Sequence, residues 1–239
     1  MINIFKRKKR EGCPVCFENN TIGFGTDYLE SKFISRIEKE QEIGGIEIFK
    51  CQKCSTQFYK EGNMFNKIMD GQIDTLKRWT NKTLKTDDSL KKKIDEIGFS
   101  ENWDGSKVAP AKILLNNGKE FDFATIRITK TPPIGAFFDN FENLFFIDEV
   151  ESIDKSQFGL SSEIRNEANK AEERRMGFYP TVLKTNDGKR IVVNGTSLFF
   201  NSNGIKGEQL ILAKEDWDHR AKYIYEDKIE NQTLIVGKE

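Results

Sequence analysis

Apolar and polar positions alternate with a period of two through most of the chain beyond residue 100, and follow a helical period between residues 64 and 98. The stretches "PAKILLNNGKEFDFATIRIT" and "PTVLKTNDGKRIVV" each predict two strands around a turn, at Asn117–Gly118 and at Asp187–Gly188. They align seventy positions apart, Pro110 with Pro180, Asn116 with Asn186, Gly118 with Gly188 and Lys119 with Lys189. A duplicated hairpin leaves such a trace, but hairpins also recruit these residues independently, and both explanations stand.

From Met64 onward, Phe65, Ile68, Met69, Leu76 and Trp79 fall near one face of a helix. A second helix starts at Asp87 or Asp88 as cap, runs through Leu90, Ile94 and Ile97, and stops at Gly98, with Lys91, Lys92 and Lys93 on its polar side. The pair reads as an amphipathic connector or, less simply, as a DNA-reading unit. Phe137, Phe141, Leu144 and Phe145 have helical spacing, after which "LFFIDEV" can become a buried strand. A surface helix from Ser161 or Ser162 carries Ile164, Ala168 and Ala171 and ends before Gly177. "NSNGIKGEQ" reads as a loop, and "AKYIYEDKIENQTLIVGK" as a further hairpin with Tyr223 and Tyr225 on one face.

All four cysteines fall in the first 54 residues, as "CPVC" (Cys13, Cys16) and "CQKC" (Cys51, Cys54). Two CxxC turns can complete a tetrahedral zinc shell of four thiolates, without the lone His219. Four thiolates leave no open position for a catalytic water, so the zinc is structural. The competing redox reading needs a thiolate at a helix N-terminus, and no helical pattern begins at either pair. Apolar Ile48, Phe49, Phe58 and Tyr59 flank the second pair as a hairpin would. These features resemble the zinc-ribbon superfamily over roughly residues 11 to 60, a resemblance that implies two knuckles on short β-hairpins. Thirty-four residues separate Cys16 from Cys51, an interval expected to hold its own strand or short helix before Gly44 and Gly45 turn the chain back. Closing that loop costs on the order of 3 kcal/mol, against roughly 10 to 16 kcal/mol from structural zinc in small peptides.

The expected organisation is α+β. A basic disordered tail (1–10) precedes a zinc-ribbon-like β-hairpin module (11–62), then a helical connector (63–100) and a β-rich domain with one or two surface helices (101–239).

Charge changes the picture only locally. The 38 basic and 38 acidic side chains cancel, yet residues 1–100 carry 19 Lys and Arg against 15 Asp and Glu. The 32% charged and 37% hydrophobic content excludes a disordered or membrane-embedded chain. The start has too few apolar residues for a secretory signal, and with the paired CxxC this points to the cytoplasm. Lys6, Arg7, Lys8, Lys9 and Arg10 can bind nucleic-acid phosphates, or can offset the zinc thiolates together with Lys50 and Lys53.

Three weaker constellations complete the reading. Asp139, Glu142, Asp148, Glu149, Glu151 and Asp154 form an acidic run that is either a hydrated surface or, through Asp148 and Glu151 with Asp122 and Lys189, a magnesium site for phosphodiester cleavage. His219 beside Asp218 can begin a catalytic dyad but lacks a nucleophile signature, so a capping or surface role competes. No nucleotide-cofactor motif is present. The expected function is therefore a zinc-binding macromolecular interaction protein associated with nucleic acid, its zinc structural. The alternatives are a metal-dependent hydrolase or nuclease and a protein-binding adaptor or inhibitor.

Overall fold

The computed structural model describes residues 13, 15, 28–30, 37–61, 64–81, 88–102, 105–130, 132, 143–174, 179–194, 198–213, 224–225 and 233–238. The fold is α+β, and the chain divides into two compact units, 1–82 with 132–140, and 83–131 with 141–239. The division falls inside the segment read as a connector, so its two helices belong to different units. Among the described residues, no helix is long and apolar enough to cross a membrane.

In the first unit, strands β1 (Tyr28–Glu30), β2 (Ile37–Ile43), β3 (Ile46–Cys51), β4 (Gln57–Glu61) and β5 (Met64–Lys67) form an antiparallel sheet in the order β1-β5-β4-β3-β2. As expected, the long interval between the cysteine pairs holds strands, and Gly44 and Gly45 turn the chain between β2 and β3, both with positive φ. Ile48 pairs with Tyr59 and Phe49 with Phe58, so alternation sends one set to each face. Helix α1 (Gln72–Asn81) contacts β2 and buries Leu76 and Trp79. It starts later than the spacing predicts, because Met64–Lys67 extends the sheet instead. Phe65 there meets Phe49 and Phe58 edge-on, with ring centroids 5.0 and 6.5 Å away, a tertiary gain that overrides the local helical period.

The second unit opens with α2 (Asp88–Ile97), whose Leu90 and Ile94 are buried and which ends at Gly98 in the left-handed region, as the sequence predicts. Strands β6 (Ser100–Glu101), β7 (Lys107–Leu115), β8 (Glu120–Thr129), β9 (Leu144–Phe146) and β10 (Val150–Lys155) follow. Leu144 and Phe145 are thus in a strand, as "LFFIDEV" suggests, and not in the helix that their spacing with Phe137 and Phe141 allows; the last two lie outside the described residues. Next come α3 (Ser162–Ala168), β11 (Pro180–Lys184), β12 (Arg190–Asn194), β13 (Asn201–Ser202), β14 (Ile205–Lys206), β15 (Ile211–Leu212), β16 (Ile224–Tyr225) and β17 (Thr233–Lys238). Ser161 caps α3 by accepting from the Ile164 N–H, and the helix stops at Asn169, short of Ala171, where the Asn169 side chain donates to the Glu101 carbonyl.

The large sheet runs β10-β7-β8-β17-β9, with β6 paired to β7. Ala109, Ala111, Ile113 and Leu115 of β7 are almost fully buried at alternate positions, and α2 packs across β7 and β10. A four-stranded sheet, β15-β11-β12-β16, has its own core of Leu183, Ile191 and Val193 with Leu160, Ile164, Phe200 and Leu210. The last two strands therefore do not form the expected hairpin. β16 adds parallel to β12, and β17 inserts parallel between β8 and β9. "NSNGIKGEQ" is not a plain loop either: Asn203 and Gly204, with φ of 52° and 77°, turn the β13–β14 hairpin.

The likeness between the two hairpins extends past their turns, though no longer at a spacing of seventy residues. In the first, the Leu115 N–H donates to the Lys119 carbonyl at 2.8 Å and the Gly118 N–H to the Leu115 carbonyl at 2.8 Å. In the second, Thr185 and Lys189 bond alike at 3.0 Å, and Gly188 and Thr185 at 2.9 Å. Gly118 and Gly188 share a φ near 80°, at 81° and 83°. In both sheets the first hairpin strand takes an antiparallel neighbour, β10 or β15, and the second a parallel one, β17 or β16. Each antiparallel neighbour follows a 3-10 turn, Ile147–Glu149 or Gly207–Gln209. The third residue of each turn accepts from the backbone N–H that precedes it, Phe146 to Glu149 at 2.8 Å and Lys206 to Gln209 at 2.7 Å. One pairing scheme is therefore used twice in this unit.

α3 belongs to both sheets. Ile164 sits in the smaller sheet's core, while the neighbouring Arg165 side chain, 2% exposed, turns to the larger one. Its guanidinium donates to the carbonyls of Leu160 (3.0 Å), Val108 (2.9 Å) and Gly98 (2.7 Å) and to the Ser100 hydroxyl (2.8 Å). All four acceptors are neutral, and Gly98 ends α2, where the helix dipole favours a cation. Burial lowers the Arg165 pKa to about 10, which leaves it charged at neutral pH.

Close approach elsewhere demands glycine. A Cβ on Gly207 would lie 2.2 Å from the Phe158 carbonyl oxygen, a backbone atom that cannot step aside alone. Gly207→Ala is expected to destabilise the second unit by about 1 to 3 kcal/mol, measured as a lower urea midpoint with unchanged slope; an unchanged midpoint would contradict this contact.

Candidate metal centre

β3 ends at Cys51, and the chain then makes a tight turn before β4. The Ser55 N–H donates to the Cys51 carbonyl and the Cys51 N–H to the Thr56 carbonyl, each at 2.9 Å. Ser55 takes a φ of 61°, in the left-handed region that a non-glycine residue rarely occupies. That geometry wraps residues 51 to 55 so that the Cys51 and Cys54 side chains point to one side.

Cys13, thirty-eight residues before Cys51, meets them. The ligand atoms of Cys13, Cys51 and Cys54 all lie within 4.8 Å of one another, and the Cys13 and Cys54 sulfurs are 3.4 Å apart. A tetrahedral zinc with bonds of about 2.3 Å has sulfur–sulfur edges of roughly 3.8 Å. The Cys13–Cys54 distance lies near that value and all three sulfurs are within 4.8 Å of one another, so the three thiols are close enough to hold one metal ion. Among the described residues this is the group of cysteine, histidine and acidic side chains that converges closely enough to hold an ion.

The surroundings tie the site to the fold. Cys13 and Cys51 are fully buried and cluster with Phe58 and Phe65, with Val15, Ile37 and Phe49 packed against them. The Lys53 backbone N–H approaches the Cys51 sulfur at 3.4 Å, and the Thr56 hydroxyl lies 3.1 Å from the Cys54 sulfur. Such contacts to sulfur orient ligands and soften their negative charge. Thr56 carries no motif of its own in the sequence; its position two residues past the second CxxC is the signal that marks it. Cys54 itself is exposed.

Lys50, expected to offset the thiolates, instead pairs with Glu40 at 3.0 Å. Gln57 and then Lys50 hydrogen-bond Glu40 and hold its carboxyl below the usual range. Lys53 remains exposed at the knuckle.

The other predicted residues are dispersed. Cys16, Lys6, Arg7, Lys8, Lys9, Arg10, His219, Asp139 and Glu142 lie outside the described residues. Asp148 is exposed on the first 3-10 turn, where its carbonyl accepts from the Asn116 side chain at 3.1 Å. Glu151 is exposed on β10, Glu149 caps its turn, and Asp154 pairs with Lys93 at 3.0 Å. Asp122 lies beside Lys112 at 3.8 Å, and Lys189 sits in the second hairpin turn. Comparison with known proteins adds no relative: no family model, no curated protein and no solved structure matches the chain.

Proposed function

We propose that the first unit is a structural zinc module, with Cys16 joining Cys13, Cys51 and Cys54, and that the protein is a cytoplasmic macromolecular interaction protein that engages nucleic acid. The convergence of three thiols from two knuckles within 4.8 Å carries this reading. Zinc is favoured by the all-sulfur donor set and the close approach of its sulfurs. Its role is to staple: the ligands come from segments nearly forty residues apart and sit in the same apolar cluster as Phe58 and Phe65.

The nucleic-acid part rests on charge. Lys6 to Arg10 supply five cations directly before the first knuckle, and Lys53 is exposed on the second. Clustered cations bind phosphates by releasing counterions. Titration of the zinc-loaded chain onto single-stranded and duplex DNA and RNA is expected to show affinity that falls steeply with salt. Replacing Lys6, Arg7, Lys8, Lys9 and Arg10 together by Gln flattens the log–log salt slope by up to about 4, since each phosphate contact contributes roughly 0.7 to 0.9. An unchanged slope in that variant would remove the basis for the nucleic-acid reading. Elemental analysis giving well under one zinc per chain would remove the basis for the metal.

A further inference from the structure

The three thiols are not equivalent. Cys13 and Cys51 are 0% exposed, whereas Cys54 is exposed at the surface of the knuckle. Cys54 also has a sulfur partner across the site, Cys13, at 3.4 Å. A disulfide needs about 2.0 Å between sulfurs, so the two must approach by roughly 1.4 Å to bond. The accessible thiol thus has a resolving thiol directly behind it, on the other knuckle, forty-one residues away in sequence.

We propose that Cys54 is a modification site for two-electron oxidants of the peroxide class, and that its oxidation links Cys13 to Cys54 and expels the metal. The Cys54 thiolate attacks one peroxide oxygen; the O–O bond breaks, hydroxide leaves, and a sulfenic acid forms. The Cys13 thiolate then attacks that sulfur, forming the S–S bond as the S–O bond breaks and a second hydroxide leaves. The two thiolates give up one electron each, the peroxide takes both, and two solvent protons turn the hydroxides into water. A zinc ion held by these thiolates would be released unchanged as the divalent ion, because two of its ligands would no longer carry charge.

The pairing matters as much as the loss of metal. A disulfide inside either CxxC would leave the two knuckles unconnected. A bond between Cys13 and Cys54 keeps the cross-link that the metal provided, so the apolar cluster of Phe58, Phe65 and Phe49 stays closed over a metal-free site. The oxidised unit is then a folded, zinc-free form with an altered surface charge, distinct from the chain stripped of metal by a chelator.

This inference rests on the zinc reading for the released ion, but on the thiol geometry alone for the disulfide, and one experiment separates the two. The full-length chain is treated with hydrogen peroxide while a chromogenic chelator reports zinc, and non-reducing peptide mapping identifies the linked cysteines. The expected result is one zinc released for every two thiols lost, a Cys13–Cys54 peptide, and recovery of thiols and zinc uptake on addition of dithiothreitol. A first disulfide within either CxxC, accumulation of Cys54 sulfinic acid, or full retention of zinc after thiol loss would each overturn the proposal. A Cys13–Cys54 link in a chain that never carried zinc upholds the modification site and overturns the metal reading.

Discussion

Cys51→Ser is expected to abolish stoichiometric zinc binding and unfold the first unit, leaving the second folded. Structural zinc supplies roughly 10 to 16 kcal/mol in small peptides, comparable with the whole stability of about 5 to 15 kcal/mol of an ordinary domain. Loss of one ligand therefore cannot be absorbed by a five-stranded sheet whose inner cluster includes the ligands themselves. Cys51 is the most informative position because its sulfur is fully buried and its backbone ends β3. Hydrogen exchange read by mass spectrometry tests this directly. Amides around Ile48 and Phe58 lose protection in the variant or after chelation, while those around Ile113 and Ile126 keep theirs, since that sheet has a core of its own. A variant that retains one zinc per chain, or whose β3 and β4 amides stay protected, would show that the thiols are not the staple.

The second large effect is at Arg165. Arg165→Met keeps much of the volume but removes every donor, so the Leu160 and Gly98 carbonyls lose the guanidinium and the Val108 carbonyl keeps, of its side-chain donors, the Ser100 hydroxyl at 3.4 Å. Each buried acceptor left unsatisfied costs about 1 to 3 kcal/mol. Relief of the guanidinium's own desolvation offsets part of that, and the net loss is expected near 3 to 5 kcal/mol. For a unit of this size the melting temperature falls on the order of 10 °C. Arg165→Lys is expected to recover little, because one ammonium cannot span acceptors on α2, β6, β7 and the segment before α3 in the way a planar fork does. A Met variant within 1 kcal/mol of the natural chain, by urea unfolding, would mean that the carbonyls find other partners.

What was readable in advance was local. The two CxxC pairs, the turns at Gly118 and Gly188, and the helix from Asp88 to Gly98 each announce themselves within a dozen residues, because capping and turn chemistry act at short range. At Met64–Lys67 the sequence misleads, because Phe65, Ile68 and Met69 fit a helical stripe as well as a strand end, and the facing Phe49 decides between them. Residues 224–225 and 233–238 alternate like a hairpin, yet each joins a different sheet through partners far away in sequence. Arg165 is invisible for the opposite reason: a charged side chain on a polar-looking helix predicts solvent, and three of its four acceptors are backbone carbonyls, which carry no sequence signature. At the metal centre the donor atoms were readable, but the unequal exposure of Cys54 and Cys13 was not.

The place of β17 has a consequence for how the chain is made. It is an interior strand of the large sheet, hydrogen-bonded to β8 on one side and β9 on the other. A ribosome finishes β8 at Thr129 but must add about a hundred more residues before Thr233 appears, which at bacterial and eukaryotic elongation speeds takes about 5 to 20 s. Throughout that interval the nascent chain presents an open β8 edge and half a sheet, the kind of surface that invites pairing with a neighbouring polypeptide. The large sheet can close only after the chain has been translated through Lys238.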